Sequence, residues 1–218
     1  MLVGEAYTVS LFDTMPADPT KVLLVDDDPA MLRLLAKWLE AEGYQVLRAG
    51  ATGSILRRSS KVPLDLGQIA RECVELARTR FHLGPEALEY VAHTQRATVL
   101  GDSEELKAAV WNLLDNAVKY SQDDVKIRVE LDELHNNKVA VRVTDNGVGI
   151  SPAELKRIFK RFYRIPASVA VRTKGSGLGL FIVRSVAKKH GGKAFAESAG
   201  QGQGSTFTLQ LPAAPASA

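Results

Sequence analysis

Apolar positions recur along the chain with two different periods, and the points where the period changes mark the elements. Val22-Leu23-Leu24-Val25 is a short apolar run ending in Asp26-Asp27-Asp28-Pro29. Met31 to Leu39 then carries apolar residues at helical spacing up to Gly43, and Tyr44 to Leu47 resumes an extended run. That order predicts one βαβ unit, closed by a loop at Gly50 to Ser54. After a basic, serine-containing link from Arg57 to Lys61, Leu66, Ile69, Ala70, Cys73 and Ala77 form the stripe of an amphipathic helix ending near Arg80. Short strands are expected at Leu88 to Val91 and Thr98 to Leu100, followed by a long helix from about Glu104 to Tyr120. Asp102 and Glu105 have the spacing of a capping box for it. Val125, Ile127, Val129, Leu131 and then Val139, Val141, Val143 alternate on either side of His135-Asn136-Asn137, the pattern of a hairpin with one buried face. A helix from about Gly177 to His190 stops at Gly191-Gly192, and strand-like runs near Phe195 and at Phe207, Leu209 and Leu211 follow.

This order predicts an α/β fold: a two-layer α/β sandwich, with a mixed sheet covered by helices on one face and an N-terminal βαβ fragment. Residues 1–20 hold Gly4, Pro16 and Pro19 without a sustained period and are expected to be a leader. Residues 21–56 are the βαβ fragment, 57–212 the main domain, and 213–218 a Pro- and Ala-rich tail. A length of 218 residues fits one domain plus a fragment.

Composition removes several function classes. The lone cysteine, Cys73, can close no intramolecular disulfide and build no cysteine-rich zinc site, which points to a reducing interior. Lys and Arg total 28 against 25 for Asp and Glu, a net charge of +3 that is weak for a nucleic-acid binder, and no helix-turn-helix or RNA-binding signature is present. No run reaches the roughly 18 apolar residues of a membrane span. The expectation is a soluble, cytoplasmic chain that binds neither nucleic acid nor membrane.

Three features carry candidate chemistry. Leu106, Val110, Leu113, Leu114, Ala117 and Val118 form the core stripe of the long helix, while Asn112, Asn116 and Lys119 line up on a different face. Asparagine is a poor helix-interior residue, so two of them one turn apart imply either a bound ion or ligand or a solvated polar face. Asp145 continues the inward series Val139, Val141, Val143, which aims a carboxylate at the core side, where only a donor makes it tolerable. The turn Asn146-Gly147-Val148-Gly149 follows it, which reads either as a plain turn or as a backbone that a flat ligand can approach. Adenine's exocyclic amine suits the carboxylate, whereas guanine presents a carbonyl at that place. Finally, Gly175-Ser176-Gly177-Leu178-Gly179-Leu180 opens a helix whose start attracts phosphate, and it follows a stretch from Lys156 to Lys174 with seven basic residues and no acidic one. A mobile cationic lid over polyphosphate accounts for that sign bias.

Together these pieces resemble the catalytic, ATP-binding domain of sensor histidine kinases, in the superfamily shared with gyrase, the Hsp90 chaperone and the MutL repair protein. Asn112 to Tyr120 looks like the asparagine box, Asp145 to Ile150 the first glycine box and Ile158 to Arg164 the phenylalanine box. Gly175 to Leu180 looks like the second glycine box, and Gly202 to Phe207 the last. The resemblance implies ATP and Mg²⁺ as cofactors. By it, Asn116 holds Mg²⁺ through its side-chain oxygen, Asn112, Lys119 and Tyr120 line the phosphate path, and Asp145 holds adenine beside Gly147, Gly149 and Ile150. Phe162, Arg164, Lys174, Gly175, Gly177, Leu178, Gly179, Leu180 and Thr206 complete the implied ATP site.

The phosphoaccepting helical hairpin of full sensor kinases has no counterpart motif around His82, His93, His135 or His190, and His190 reads as a cation at a helix C-terminus. The γ-phosphoryl group is therefore expected to go in trans to a histidine on a separate dimerisation domain, with a response regulator as a further partner. Residues 21–49 resemble the opening of a response-regulator receiver, in which Asp26 and Asp27 would bind Mg²⁺. Two other functions fit the same residues: a non-catalytic nucleotide-binding regulator of a two-component system, and a serine kinase of the anti-sigma-factor type.

Overall fold

A computed structural model describes residues 21–26, 39, 43–50, 61–121, 124–165 and 177–214. The chain divides into two compact units, residues 1–58 and 59–218. In the first, β1 (Lys21–Asp26) and β2 (Gln45–Gly50) pair in parallel, from Lys21 opposite Gln45 to Asp26 opposite Gly50. Parallel neighbours require a crossover, as the βαβ pattern implies. The helical Leu39 is buried and its carbonyl accepts from the Tyr44 N–H at 3.0 Å, across a turn where Gly43 takes φ +89°. Asp27 and the rest of the expected helix lie outside the described residues.

The second unit runs β3 (Val62–Asp65), α1 (Leu66–Phe81), β4 (Leu88–Ala92), β5 (Thr98–Gly101), α2 (Ser103–Tyr120), β6 (Ile127–Leu134), β7 (Lys138–Asp145), α3 (Gly179–Lys189), β8 (Lys193–Glu197) and β9 (Ser205–Pro212). Five strands form one mixed sheet in the order β4-β6-β7-β9-β8, with β4 parallel to β6 and the other neighbours antiparallel. Its inward residues, among them Val129, Leu131, Val139, Val141, Val143, Phe207, Leu209 and Leu211, are buried with Leu106, Val110, Leu113, Leu114 and Ala117 of α2 in one core. Each of the Val, Leu and Phe side chains contributes roughly 1.5–3 kcal/mol on burial. The opposite face is polar: Arg128 sits 3.6 Å from Glu89 and 3.4 Å from Glu130, and Arg142 pairs with Asp132. The expected two-layer architecture with one covered face is what the chain forms.

Four local features depart from the sequence pattern. Residues 62–65, where the periodicity predicts no element, form a strand that pairs antiparallel with β5 in a separate two-stranded sheet. Four residues around a proline carry no period, and an edge is where proline is tolerated. Asp65 also caps α1, accepting from the N–H groups of Gly67 (2.8 Å) and Gln68 (3.2 Å). The capping box at α2 is half formed. Asp102 accepts from the Glu104 and Glu105 N–H groups at 3.0 and 3.2 Å, but the Glu105 carboxylate pairs with Lys189. The Asp102 N–H goes instead to Nε2 of the buried His190 at 3.1 Å. That histidine thus acts as an acceptor, with Nδ1 against the Val186 carbonyl at 2.9 Å, rather than as the cation expected at a helix end. The fourth departure is at the C-terminal end, where the Ala213 and Ala214 N–H groups donate to Asn137 O (2.9 Å) and Thr98 O (2.7 Å), so the expected tail begins as anchored chain.

Candidate nucleotide-binding site

Two turns of α2 supply one wall. Asn112 donates from Nδ2 to the Ala108 carbonyl at 2.8 Å, and Asn116 stands one turn further on, with its Nδ2 buried and without a hydrogen-bond partner. Lys119 is held by Asp115 at 2.5 Å on the same helix. The first turn of α3 packs directly on this stripe: a Cβ on Gly179 would lie 2.8 Å from Asn112 Oδ1 and 3.6 Å from Asn116 Nδ2. A side chain there would displace the Asn112 amide. Leu178, the N-cap of α3, makes no side-chain cap hydrogen bond, and Leu180 packs half-buried on the core. The positive end of the α3 dipole therefore stands beside the asparagines.

The other wall is the end of β7. Asp145 is buried at the end of its strand, opposite Ser205 of β9. Burial pushes its carboxyl above the ordinary carboxylate range, while backbone N–H groups of Gly147 and Ser205 partly pull it back. The Gly147 N–H donates to Oδ1 at 2.8 Å. The turn after Asp145 hangs from the C-terminal end of α2, because the Val148 N–H donates to the Tyr120 carbonyl at 3.0 Å. The glycines of this turn are required by the protein's own main chain. A Cβ on Gly147 would lie 2.3 Å from Tyr120 O, and one on Gly149, at φ +67°, would lie 1.9 Å from Gly200 O. Ile150 is buried, with its N–H on the Ser198 hydroxyl at 3.0 Å.

Phe162 is left-handed at φ +56°, an uncommon state for an aromatic residue, and its backbone abuts Gly177, where a Cβ would meet it at 2.8 Å. Gly177 itself takes φ +71°, which is why α3 starts later than the sequence suggests. Arg164 is exposed. Lys174 and Gly175 lie outside the described residues. Asp26 closes β1 in the first unit, and the parts of the chain that would make a receiver site around it are not described.

One site residue faces elsewhere. Thr206 stands opposite Thr144 with their hydroxyls 3.0 Å apart on the polar face of the sheet, while its neighbour Ser205 is buried beside Asp145. Phe207, Leu209 and Leu211 are the signal: inward residues of β9 are odd-numbered, so Ser205 shares the side of Asp145 and Thr206 does not. Ser198, which bonds the Ile150 N–H, lies in the loop after β8, where no periodic signal marks it.

The implied Mg²⁺ can be tested against these residues. Among the described residues no cluster of three or more His, Cys, Asp or Glu could hold a metal. Mg²⁺ needs none, because it keeps its waters and binds through one or two protein oxygens plus substrate phosphates. The Asn116 amide fits that demand. One of its polar atoms is buried and unpartnered, it sits beside a phosphate-attracting helix start, and rotating the amide by half a turn exchanges nitrogen for oxygen.

Residues 101–215 match the family described as histidine kinase-, DNA gyrase B- and HSP90-like ATPase. The sensor-like histidine kinase SenX3 of Mycolicibacterium smegmatis is 32% identical over 201 residues, covering 87% of this chain and 50% of its own length. The kinase/phosphatase MprB of Mycobacterium ulcerans is 34% identical over 159 residues, 70% of this chain and 29% of MprB. This chain thus spans half the length of SenX3 and less of MprB. Among solved structures, the mycobacterial MprB kinase superposes with a TM-score of 0.60 at 33% identity, covering 72% of this chain and 99% of that one. Full-length ShkA in complex with AMPPNP gives a TM-score of 0.60 at 26% identity, over 87% of this chain and 37% of ShkA. The receiver-like reading of residues 21–56 gains no support from these likenesses, which are to kinases. The asparagine-bearing helix, the carboxylate at the end of β7 and the glycine loops around it thus occur in a chain that belongs to the histidine kinase, gyrase B and HSP90-like ATPase family, as a histidine-kinase ATPase catalytic domain.

Proposed function

We propose that this domain binds Mg²⁺-ATP between α2 and the β7 turn and transfers the γ-phosphoryl group to a histidine on a separate helical hairpin, within a cytoplasmic two-component system. The observation that carries this reading is the convergence of three elements. Asp145 stands at one end of α2 through the Tyr120 contact, the start of α3 stands one to two turns back along the same helix, and Asn112 and Asn116 lie beside that start. A carboxylate acceptor fits adenine's amine, and a helix start with two amides fits the triphosphate.

Asp145 accepts from the exocyclic amine and rejects guanine, whose carbonyl would face a buried anion. Ser205 lies next to Asp145 and belongs to this pocket. Asn112, Asn116, Lys119 and Tyr120 line the path of the phosphates, with Lys119 exchanging its Asp115 partner for a phosphate oxygen. Asn116 would hold Mg²⁺, which supplies charge neutralisation between phosphates when bound. The domain itself orients the nucleotide and presents its terminal phosphate, and positioning supplies most of the rate.

The test is to incubate the protein with labelled ATP and a purified histidine-bearing hairpin domain. Acid-labile label on the hairpin is expected, and it vanishes with Asn116→Ala. Saturable ATP binding without transfer to any hairpin would instead favour a nucleotide-binding regulator. Acid-stable label on a partner would favour a serine kinase.

A further inference from the structure

We propose that Ser198 is a positioning residue of the nucleotide site, locking the loop between β8 and β9 to the glycine turn after β7 and thereby fixing the two backbone N–H groups that orient Asp145. Its hydroxyl accepts from the Ile150 N–H at 3.0 Å, donates to the Gly204 carbonyl at 2.6 Å, and lies 3.3 Å from the Gly200 N–H. A hydroxyl has one proton and two lone pairs, and this one uses all three.

The two loops it joins touch through bare main chain. The Gly202 N–H donates to Val148 O at 2.8 Å and the Gly204 N–H to Gly147 O at 3.1 Å. Cβ atoms would leave only 1.9 Å between Gly149 and Gly200 O, and 2.0 Å between Gly204 and Asp145 O. Glycine chains have the most conformational freedom to lose, so an interlock of this kind depends on a side chain that pins it. Ser198 is that pin. On one side of it stands Gly147, whose N–H donates to Asp145. On the other stands Gly204, followed directly by Ser205, whose N–H also acts on that carboxylate. Removing the hydroxyl strands the Ile150 N–H and the Gly204 carbonyl, and the two loops lose their common anchor. Asp145 is then aimed less well at the adenine amine.

The inference rests on the reading of Asp145 as the adenine acceptor, and a double-mutant cycle separates the two. ADP affinity is measured by calorimetry on the full chain for the wild type, Ser198→Ala, Ser198→Thr, Asp145→Ala and the Ser198→Ala/Asp145→Ala pair, with thermal melts confirming folding. Asp145→Ala is expected to weaken ADP at least tenfold, Ser198→Ala about fivefold, and the pair no more than Asp145→Ala alone, while Ser198→Thr keeps wild-type affinity. Wild-type affinity in Asp145→Ala overturns the adenine reading itself. Loss in Asp145→Ala alongside wild-type affinity in Ser198→Ala, or losses that multiply in the pair, overturns the role of Ser198 and leaves the adenine reading standing.

Discussion

Asp145 is costly at neutral pH, because a buried carboxylate whose pKa is raised binds more protons folded than unfolded. Its contribution to stability is fully present below the ordinary carboxylate range and is lost as pH rises through the raised folded value. Asp145→Asn removes that slope: the variant melts higher than the wild type at neutral pH, and the difference disappears in acid. The same change puts an amide donor against adenine's amine, so ATP affinity falls by about ten- to a hundredfold, the worth of a hydrogen bond to a charged group. Scanning calorimetry from pH 4 to 8 and a nucleotide titration check the two halves, and a variant that melts no higher at pH 7 while binding normally contradicts both. Gly149 is a second decisive residue. With φ +67° and a carbonyl where its Cβ would go, Gly149→Ala must shift backbone, at a cost of about 1–3 kcal/mol read as a lower urea midpoint.

At the scale of elements, α2 shows what the chain discloses by itself and what it conceals. Its core stripe and the asparagine face follow from helical spacing, and the structure has both, because Leu106, Val110, Leu113, Leu114 and Ala117 are buried while Asn112 and Asn116 face α3. The alternation in β6 and β7 likewise places Asp145 inward, and the same parity in β9 separates Ser205 from Thr206. What spacing cannot disclose is pairing between distant segments. The β3–β5 sheet joins residues 62–65 to 98–101, the Asp102 N–H finds His190, and Ser198 finds Ile150. Each partner lies tens of residues away and leaves no local period. The Asp102 cap is legible and testable: Asp102→Ala removes an acceptor for two N–H groups at the start of α2 and should cost about 1 kcal/mol in chemical denaturation. Because the site lies about three to five turns further along the helix, nucleotide affinity should change less than twofold. A large loss of affinity with unchanged stability would mean that the α2 start reaches the pocket.

For the molecule as a whole, the question is whether nucleotide binding requires the first 58 residues. Among the described residues, the buried core built from α1, α2, α3 and the five-stranded sheet begins at Leu66, with Leu64 packed against it. Every described residue of the proposed pocket, from Asn112 to Ser205, lies in the second unit, and the family match begins at residue 101. The start of that unit is itself fastened, since β3 pairs with β5 and Lys61 Nζ donates to the Lys189 carbonyl at 2.8 Å. A chain cut to residues 59–218 therefore keeps its core, its edge pairing and its site. It should unfold cooperatively and bind Mg²⁺-ATP within twofold of the full chain, as measured by calorimetry on both. If the shortened chain folds yet binds at least tenfold more weakly, the first unit contributes directly to the nucleotide site and the pocket described above is incomplete. If it fails to fold, the core of the second unit is not self-sufficient, contrary to the packing that assigns it every buried strand of the main sheet.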